Sequence, residues 1–298
     1  MCLITQTMLL KAQFLVPSYG DVATFKSRTL LVVLPDTVSG EGKALYPLMK
    51  ENFPKIWNFT KEYTFVTQKE ADEKTAKAPS AYAYVMWSRE TIEYKNAMAR
   101  QTTTKKNVLC LIAGFKEKNK MKKIALISHV QVAWLEYDYI FAMQHLNILL
   151  DAGSKKILYD SKEFWDIDKN LDIISKKTLY LPEELIDLDP LKIPKNYPSK
   201  FLISNVNAIN NAVKDRNKDV LYMVAVIHEK MAENVFIVVD AETGQIVGVV
   251  GWGGAHFGWG FMSPDGGTKV SFVKTKFRGI KMVNLKYIPN KSAQKQNH

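Results

Sequence analysis

Two cysteines in 298 residues cannot build a disulfide framework, and neither Cys2 nor Cys110 has the spacing to other ligands that a metal site requires. Cys110 lies inside the apolar run Val108–Ala113, which marks it as a small buried hydrophobe rather than a nucleophile. No apolar run approaches the roughly 18 residues that a membrane-spanning helix needs. Arginine is scarce: only positions 28, 89, 100, 216 and 278 carry it. Bidentate reading of bases and phosphates favours arginine, so the net charge of +11 is read first as a lysine-rich solvated surface. Catalytic signatures are missing as well. There is no HExxH, no GxSxG elbow and no glycine loop followed by Lys-Ser/Thr, which removes the sequence basis for a zincin, a serine-hydrolase elbow or a P-loop.

One end of the chain lacks acid. From Gly266 onward there are eight basic residues (269, 274, 276, 278, 281, 286, 291 and 295) and no Asp or Glu, whereas 160–189 is acid-rich. The chain is 47% apolar and 24% charged, which is ordinary globular composition, and it is long enough for one large domain or two of usual size. At the other end, Met1–Gln13 has a short apolar run with no basic residue before it. A complete secretory signal would have that basic region. The stretch is read as the possible remnant of an export signal, with a plain cytoplasmic start as the alternative.

Periodicity divides the rest into alternating elements. Phe14–Lys26 reads as an irregular lead-in, and Arg28–Leu34 is a buried-strand run that stops at Pro35-Asp36. Gly42–Phe53 carries Leu45, Leu48, Met49 and Phe53 at helical spacing, with Pro47 expected near its first turn. Tyr63–Thr67 is a strand. Gln68–Lys77 is a polar helix capped by Thr67 with Glu70 three residues on, and Ala81–Trp87 is a third strand. Ser88–Lys106 reads as a helix or long loop, and Val108–Gly114 and Lys123–Val130 as a hairpin around the charged loop Phe115–Lys122. Trp134–Asp151 is a strong helix with Leu135, Tyr139, Met143, Leu146 and Leu150 on one face and Gly153 as its stop.

The order then repeats. Lys177–Leu181 echoes Arg28–Leu34, Lys200–Ser204 matches Tyr63–Thr67, and Asn205–Lys214 is a helix capped by Ser204. Prolines 190, 194 and 198 argue against a long helix across 185–198. Val220–Ile227 matches Ala81–Trp87. Val235–Val239 and Gln245–Val250 flank a turn at Asp240–Gly244. The separation is 137 residues from Val66 to Ile203, 138 from Tyr84 to Tyr222, and 127 from Val108 to Val235, so the first half holds one extra segment. The expected fold is α/β with mixed sheets, in two related strand-helix-strand-helix-strand-hairpin halves. The divisions are a lead-in (1–27), a first half (28–154), a connection (155–176), a second half (177–267) and a basic C-terminal strand and tail (268–298).

This element order, closing on Val239-Asp240-Ala241-Glu242-Thr243-Gly244, resembles the small α/β domains of bacterial envelope proteins. Examples are the periplasmic domain of the curli-secretion channel and the N-terminal domain of the Tol-system propeller protein. Arg28–Leu34, Tyr63–Thr67 and Ala81–Met86 fill the first set of elements, and Asp240, Thr243 and Gly244 fill the Asp-x-x-Thr-Gly hairpin of the second. The first hairpin, GFKEKNKMKK, departs from that form. The resemblance spans most of 28–250. It implies a periplasmic or secreted, non-enzymatic protein that docks to other envelope components or to an anionic surface.

The most unusual composition lies at Gly251–Gly267. Nine of the fifteen glycines fall between Gly244 and Gly267, with Trp252, His256, Phe257, Trp259 and Phe261 among them. Glycine permits close backbone approach, so alternating rings could face a ligand or partner. Trp252, His256, Trp259 and Phe261 are the candidate contact residues there, joined by Lys274, Lys276 and Arg278 in the basic tail. No catalytic residue, metal or cofactor is assigned. The favoured expectation is a binding or assembly protein of the envelope. One alternative is an enzyme with a pocket between the halves and His256 as acid or base. The other is non-specific nucleic-acid binding through the basic C-terminus.

Overall fold

Short β-branched runs make the central strands, and polar, well-capped segments make the helices between them. The computed structural model describes residues 14–15, 17–95, 103–117, 120–129, 136–158, 163–164, 166–183, 199–228 and 233–250. The first part holds β1 (Phe14–Leu15), α1 (Tyr19–Lys26), β2 (Thr29–Val33), α2 (Gly40–Ile56), β3 (Tyr63–Val66), α3 (Gln68–Lys77), β4 (Tyr82–Lys95), β5 (Thr103–Glu117), β6 (Lys120–His129) and α4 (Glu136–Ser154). The second holds α5 (Ile167–Lys176), β7 (Thr178–Pro182), β8 (Phe201–Ser204), α6 (Val206–Lys214), β9 (Val220–His228), β10 (Glu233–Asp240) and β11 (Ile246–Val250). The chain forms two compact units, one built on the first sheet and the other on most of the second.

Both sheets have one strand order. The first runs β1-β6-β5-β4-β2-β3 and the second β11-β10-β9-β7-β8, so they correspond strand for strand once the two-residue β1 is set aside. Strand β2 is parallel to β3 and β4, as β7 is to β8 and β9, and each hairpin (β5–β6 and β10–β11) is antiparallel. The expected α/β class with mixed sheets is therefore the observed one. Even the irregularity is shared. A bulge falls between Ala113 and Gly114 in one hairpin and between Val238 and Val239 in the other, leaving Ile124 and Val247 as the extra residues. Both of these side chains are buried.

The first unit is held by an aromatic cluster under α2. Leu45, Met49, Phe53 and Ile56 recur at helical spacing and are all buried. The Phe53 ring stacks on Trp57 at 4.9 Å and meets Tyr63 of β3 edge-on at 5.1 Å. Each such side chain contributes about 1.5–3 kcal/mol by leaving water. Helix α3 has little apolar surface, so its end depends on the capping box: Thr67 accepts from the Glu70 N–H, and Glu70 accepts from the Thr67 N–H at 2.7 Å. Thr67→Ala is expected to lower stability by about 1 kcal/mol in urea titrations, with α3 exchanging its amide protons first.

Several sequence expectations give way. Residues 17–26 are not an irregular lead-in: Ser18 caps α1, and the helix buries Val22 and Phe25. Pro47 sits in the interior of α2, which starts earlier than expected, at Gly40 behind Ser39. Ser88–Lys95 continues β4, and Thr103–Lys106 belongs to β5. Together they form a ribbon whose charged composition reads as a loop but whose ladder pairs Lys95 with Thr103. The charged loop at 115–122 is also mostly strand, since Glu117 pairs with Lys120. Gly153 does not end α4 but lies inside it. A Cβ there would come within 2.8 Å of the Val22 side chain and 3.0 Å of Pro17, so glycine allows a close approach. The connection at 155–176 includes α5, which packs on β11. Helix α6 is capped by Asn205, not Ser204, through its 2.8 Å bond from the Ala208 N–H. Residues 184–198 lie outside the described residues. Among the described residues no helix is long and apolar enough to cross a membrane.

Candidate contact surface

The groups with familiar chemistry are spent on the interior. Cys110 is fully buried, and burial pushes its thiol up to about 12, so it stays protonated and inert at neutral pH. His145 is 1% exposed within α4, where its ring stacks on Phe141 at 5.3 Å. No group of three or more His, Cys, Asp or Glu side chains among the described residues could hold a metal ion.

The Asp240 turn shows what the hairpin motif does physically. Gly244 takes φ 74°, a conformation that side chains resist. The Asp240 carboxylate, in a side chain 3% exposed, accepts from the Glu242 N–H at 3.1 Å and from the Thr243 hydroxyl at 3.2 Å. It also takes the Lys177 ammonium at 2.7 Å. Lys177 is the residue just before β7, so the turn fastens the hairpin to the central strand. Arg216 donates to the Glu242 carbonyl at 2.8 Å from the loop before β9. The side chains of Asp240 and Thr243 are thus engaged within the turn and with Lys177.

The first unit fastens the same place by other means. Arg28, just before β2, donates to the Lys116 carbonyl at 3.0 Å and to the Pro79 carbonyl at 3.2 Å. Its guanidinium lies 4.3 Å from the centre of the Phe115 ring. Asp21 of α1 forms an ion pair with Lys122 at 2.6 Å, which holds the carboxylate below its usual range against the opposing effect of partial burial.

Among the described residues an open groove of about 720 Å³ lies on one face of the second sheet, where Thr178 and Tyr180 of β7 and Leu202 of β8 line it. Asn217 and Asp219 close its polar end. Register explains the grouping: Tyr180 pairs with Leu202, so the two side chains emerge on one face while Leu179 and Leu181 are buried on the other. Leu202 is 47% exposed, and β8 ends the sheet. This surface offers a short strand edge, the apolar residues Phe201, Leu202 and Val220, the hydroxyl and amide groups of Thr178, Tyr180, Ser199 and Asn217, and the charges of Lys200 and Asp219.

The sequence-based candidates Trp252, His256, Trp259, Phe261, Lys274, Lys276 and Arg278 all lie outside the described residues. The groove residues were not among those candidates. The signal was there, since the alternation of Lys177–Leu181 and Lys200–Ser204 already sets Tyr180 and Leu202 on one face. Comparison with known proteins returns no matching family model, no matching curated protein and no matching solved structure.

Proposed function

We propose that the chain is a non-enzymatic binding or assembly protein of the bacterial envelope, arisen by internal duplication and working through contacts. The observation that carries this reading is the open groove beside β8, the last strand of the described sheet, with an exposed apolar side chain in it. Two units of one strand order support the duplication. The resemblance of the Asp240–Gly244 hairpin to envelope domains supports the location. The glycine-aromatic segment and the basic tail supply further contact surface in this reading, with an envelope protein or an anionic surface as partner.

A photo-crosslinking residue placed at 202 in the full chain, expressed in its host, tests it. A discrete adduct to an envelope protein is expected from position 202 and not from the control position 38, whose valine is 88% exposed. Adducts that do not differ between the two positions, or cytoplasmic partners alone, would count against the reading. So would a catalysed reaction that His256→Ala abolishes while the fold survives.

A further inference from the structure

Two side-chain contacts in the first unit occupy the positions of two in the second. Strand pairing sets the correspondence without reference to residue type. Thr29 pairs with Tyr82 and Thr178 with Val220, and the amides of Thr29 and Thr178 donate to Ala81 and Asp219. Arg28 therefore stands where Lys177 stands. Counting from the shared bulge, Phe115 stands where Asp240 stands, and Lys122 where Gln245 stands. Asp21 and Asn170 precede their strands at matching distances, in α1 and α5. In each unit these positions touch: Arg28 covers Phe115 at 4.3 Å and Lys177 binds Asp240 at 2.7 Å, while Lys122 binds Asp21 at 2.6 Å and Gln245 donates to Asn170 at 2.8 Å.

We infer that these are two versions of one clamp, which fastens each unit's hairpin to its first central strand and leading helix, and that its chemistry is exchangeable between units. This rests on the tandem reading. A cation ahead of the strand needs an electron-rich partner at the hairpin position. A carboxylate or an aromatic face supplies it equally in kind, though not in strength. The planar guanidinium suits a ring face and neighbouring carbonyls, whereas the compact ammonium suits a carboxylate. Each unit carries the matched combination. The second contact shows the same economy, an ion pair in one unit and an amide–amide hydrogen bond in the other. The departure of the first hairpin from Asp-x-x-Thr-Gly is then a change of partner at a retained position.

The inference is tested by exchange in the full-length protein. In the second unit, Asp240→Phe is expected to raise the unfolding equilibrium constant, and adding Lys177→Arg to recover at least about threefold of that loss, the lower range for a cation over a ring. In the first unit, Phe115→Asp gives Arg28 an anionic partner, while Phe115→Asn offers only a neutral acceptor. Phe115→Asp is therefore expected to unfold at least about threefold less than Phe115→Asn at pH 7, and to lose that advantage at pH 3. The second comparison is between variants of near-identical size, so it holds even if Asp240→Phe fails to fold. In the wild-type protein, Arg28 side-chain proton resonances are expected upfield, moving back in Phe115→Leu. No recovery in the first exchange together with equal stability of Phe115→Asp and Phe115→Asn would overturn the inference. The tandem reading fails separately, on experimental coordinates in which the two sheets have different strand orders.

Discussion

Replacing Asp240 with alanine is expected to cost about 3 kcal/mol of folding stability, the lower end of what breaking a buried ion pair removes. The value follows from who is left behind. Lys177 is 13% exposed and Asp240 3% exposed, so the ammonium cannot simply turn to bulk water. Glu242, 3.3 Å away but half in solvent, offers only weak compensation. The Glu242 N–H and the Thr243 hydroxyl lose their acceptor in the same step. The double variant Lys177→Met/Asp240→Leu removes both charges and is expected to recover most of the loss, because the penalty belongs to the orphan. Urea titrations of the three proteins decide it. A loss below about 0.5 kcal/mol for Asp240→Ala, at the scale of an exposed pair, would show that the turn does not depend on its carboxylate.

Asp138→Leu is expected to act in the opposite direction, raising stability at pH 7 by about 1–3 kcal/mol, the cost of a buried polar group without a partner. Asp138 is 4% exposed in the first turn of α4, and among the described residues its Oδ1 has no hydrogen-bond partner. Burial raises its carboxyl well above the usual range, which disfavours the charged form in the folded chain. The sign follows directly. Below about pH 4 the group is protonated in both the folded and unfolded chains, and its contribution to stability is fully present. As pH rises from there through the raised native value, the unfolded chain ionises first and that contribution is lost. The advantage of Asp138→Leu over the wild type should therefore be smallest near pH 4 and grow toward neutrality. A gain that is equal at both pH values would mean the carboxyl does not titrate as its burial requires.

The sequence made some features legible and hid others for identifiable reasons. Local signals survive folding. Thr67 and Glu70 form their box, Gly244 takes the left-handed turn, and the repeat of strands and helices emerges as two sheets of one order. Where neighbours decide, local reading fails. The polar segments Ser88–Lys95 and Thr103–Lys106 enter a ladder whose root is anchored where Arg89 is tied to Glu41 at 2.7 Å and Lys123 to Glu90. Gly153 resembles a helix stop, yet Pro17 and Val22 need the space that its missing side chain leaves. Arg28 and Phe115 are 87 residues apart, and no periodicity links a cation to a ring at that distance. The groove was legible in principle, since alternation fixes a face. Which face stays open depends on what covers it, and no single strand encodes that.

The matching bulges set where this architecture can change length. Tyr84 and Ala113 are 29 positions apart in sequence, against 16 for Tyr222 and Val238, so the first unit carries thirteen more residues between these points. Dropping Ile124 or Val247 would leave Lys123 opposite Gly114 and Ile246 opposite Val239, so the side chains beyond would keep their faces, but the added twist of the bulge and one buried side chain would be lost. Tags, reporters and grafted loops therefore belong between Lys95 and Thr103 in the sequence, while the bulge residue of each hairpin should be left in place.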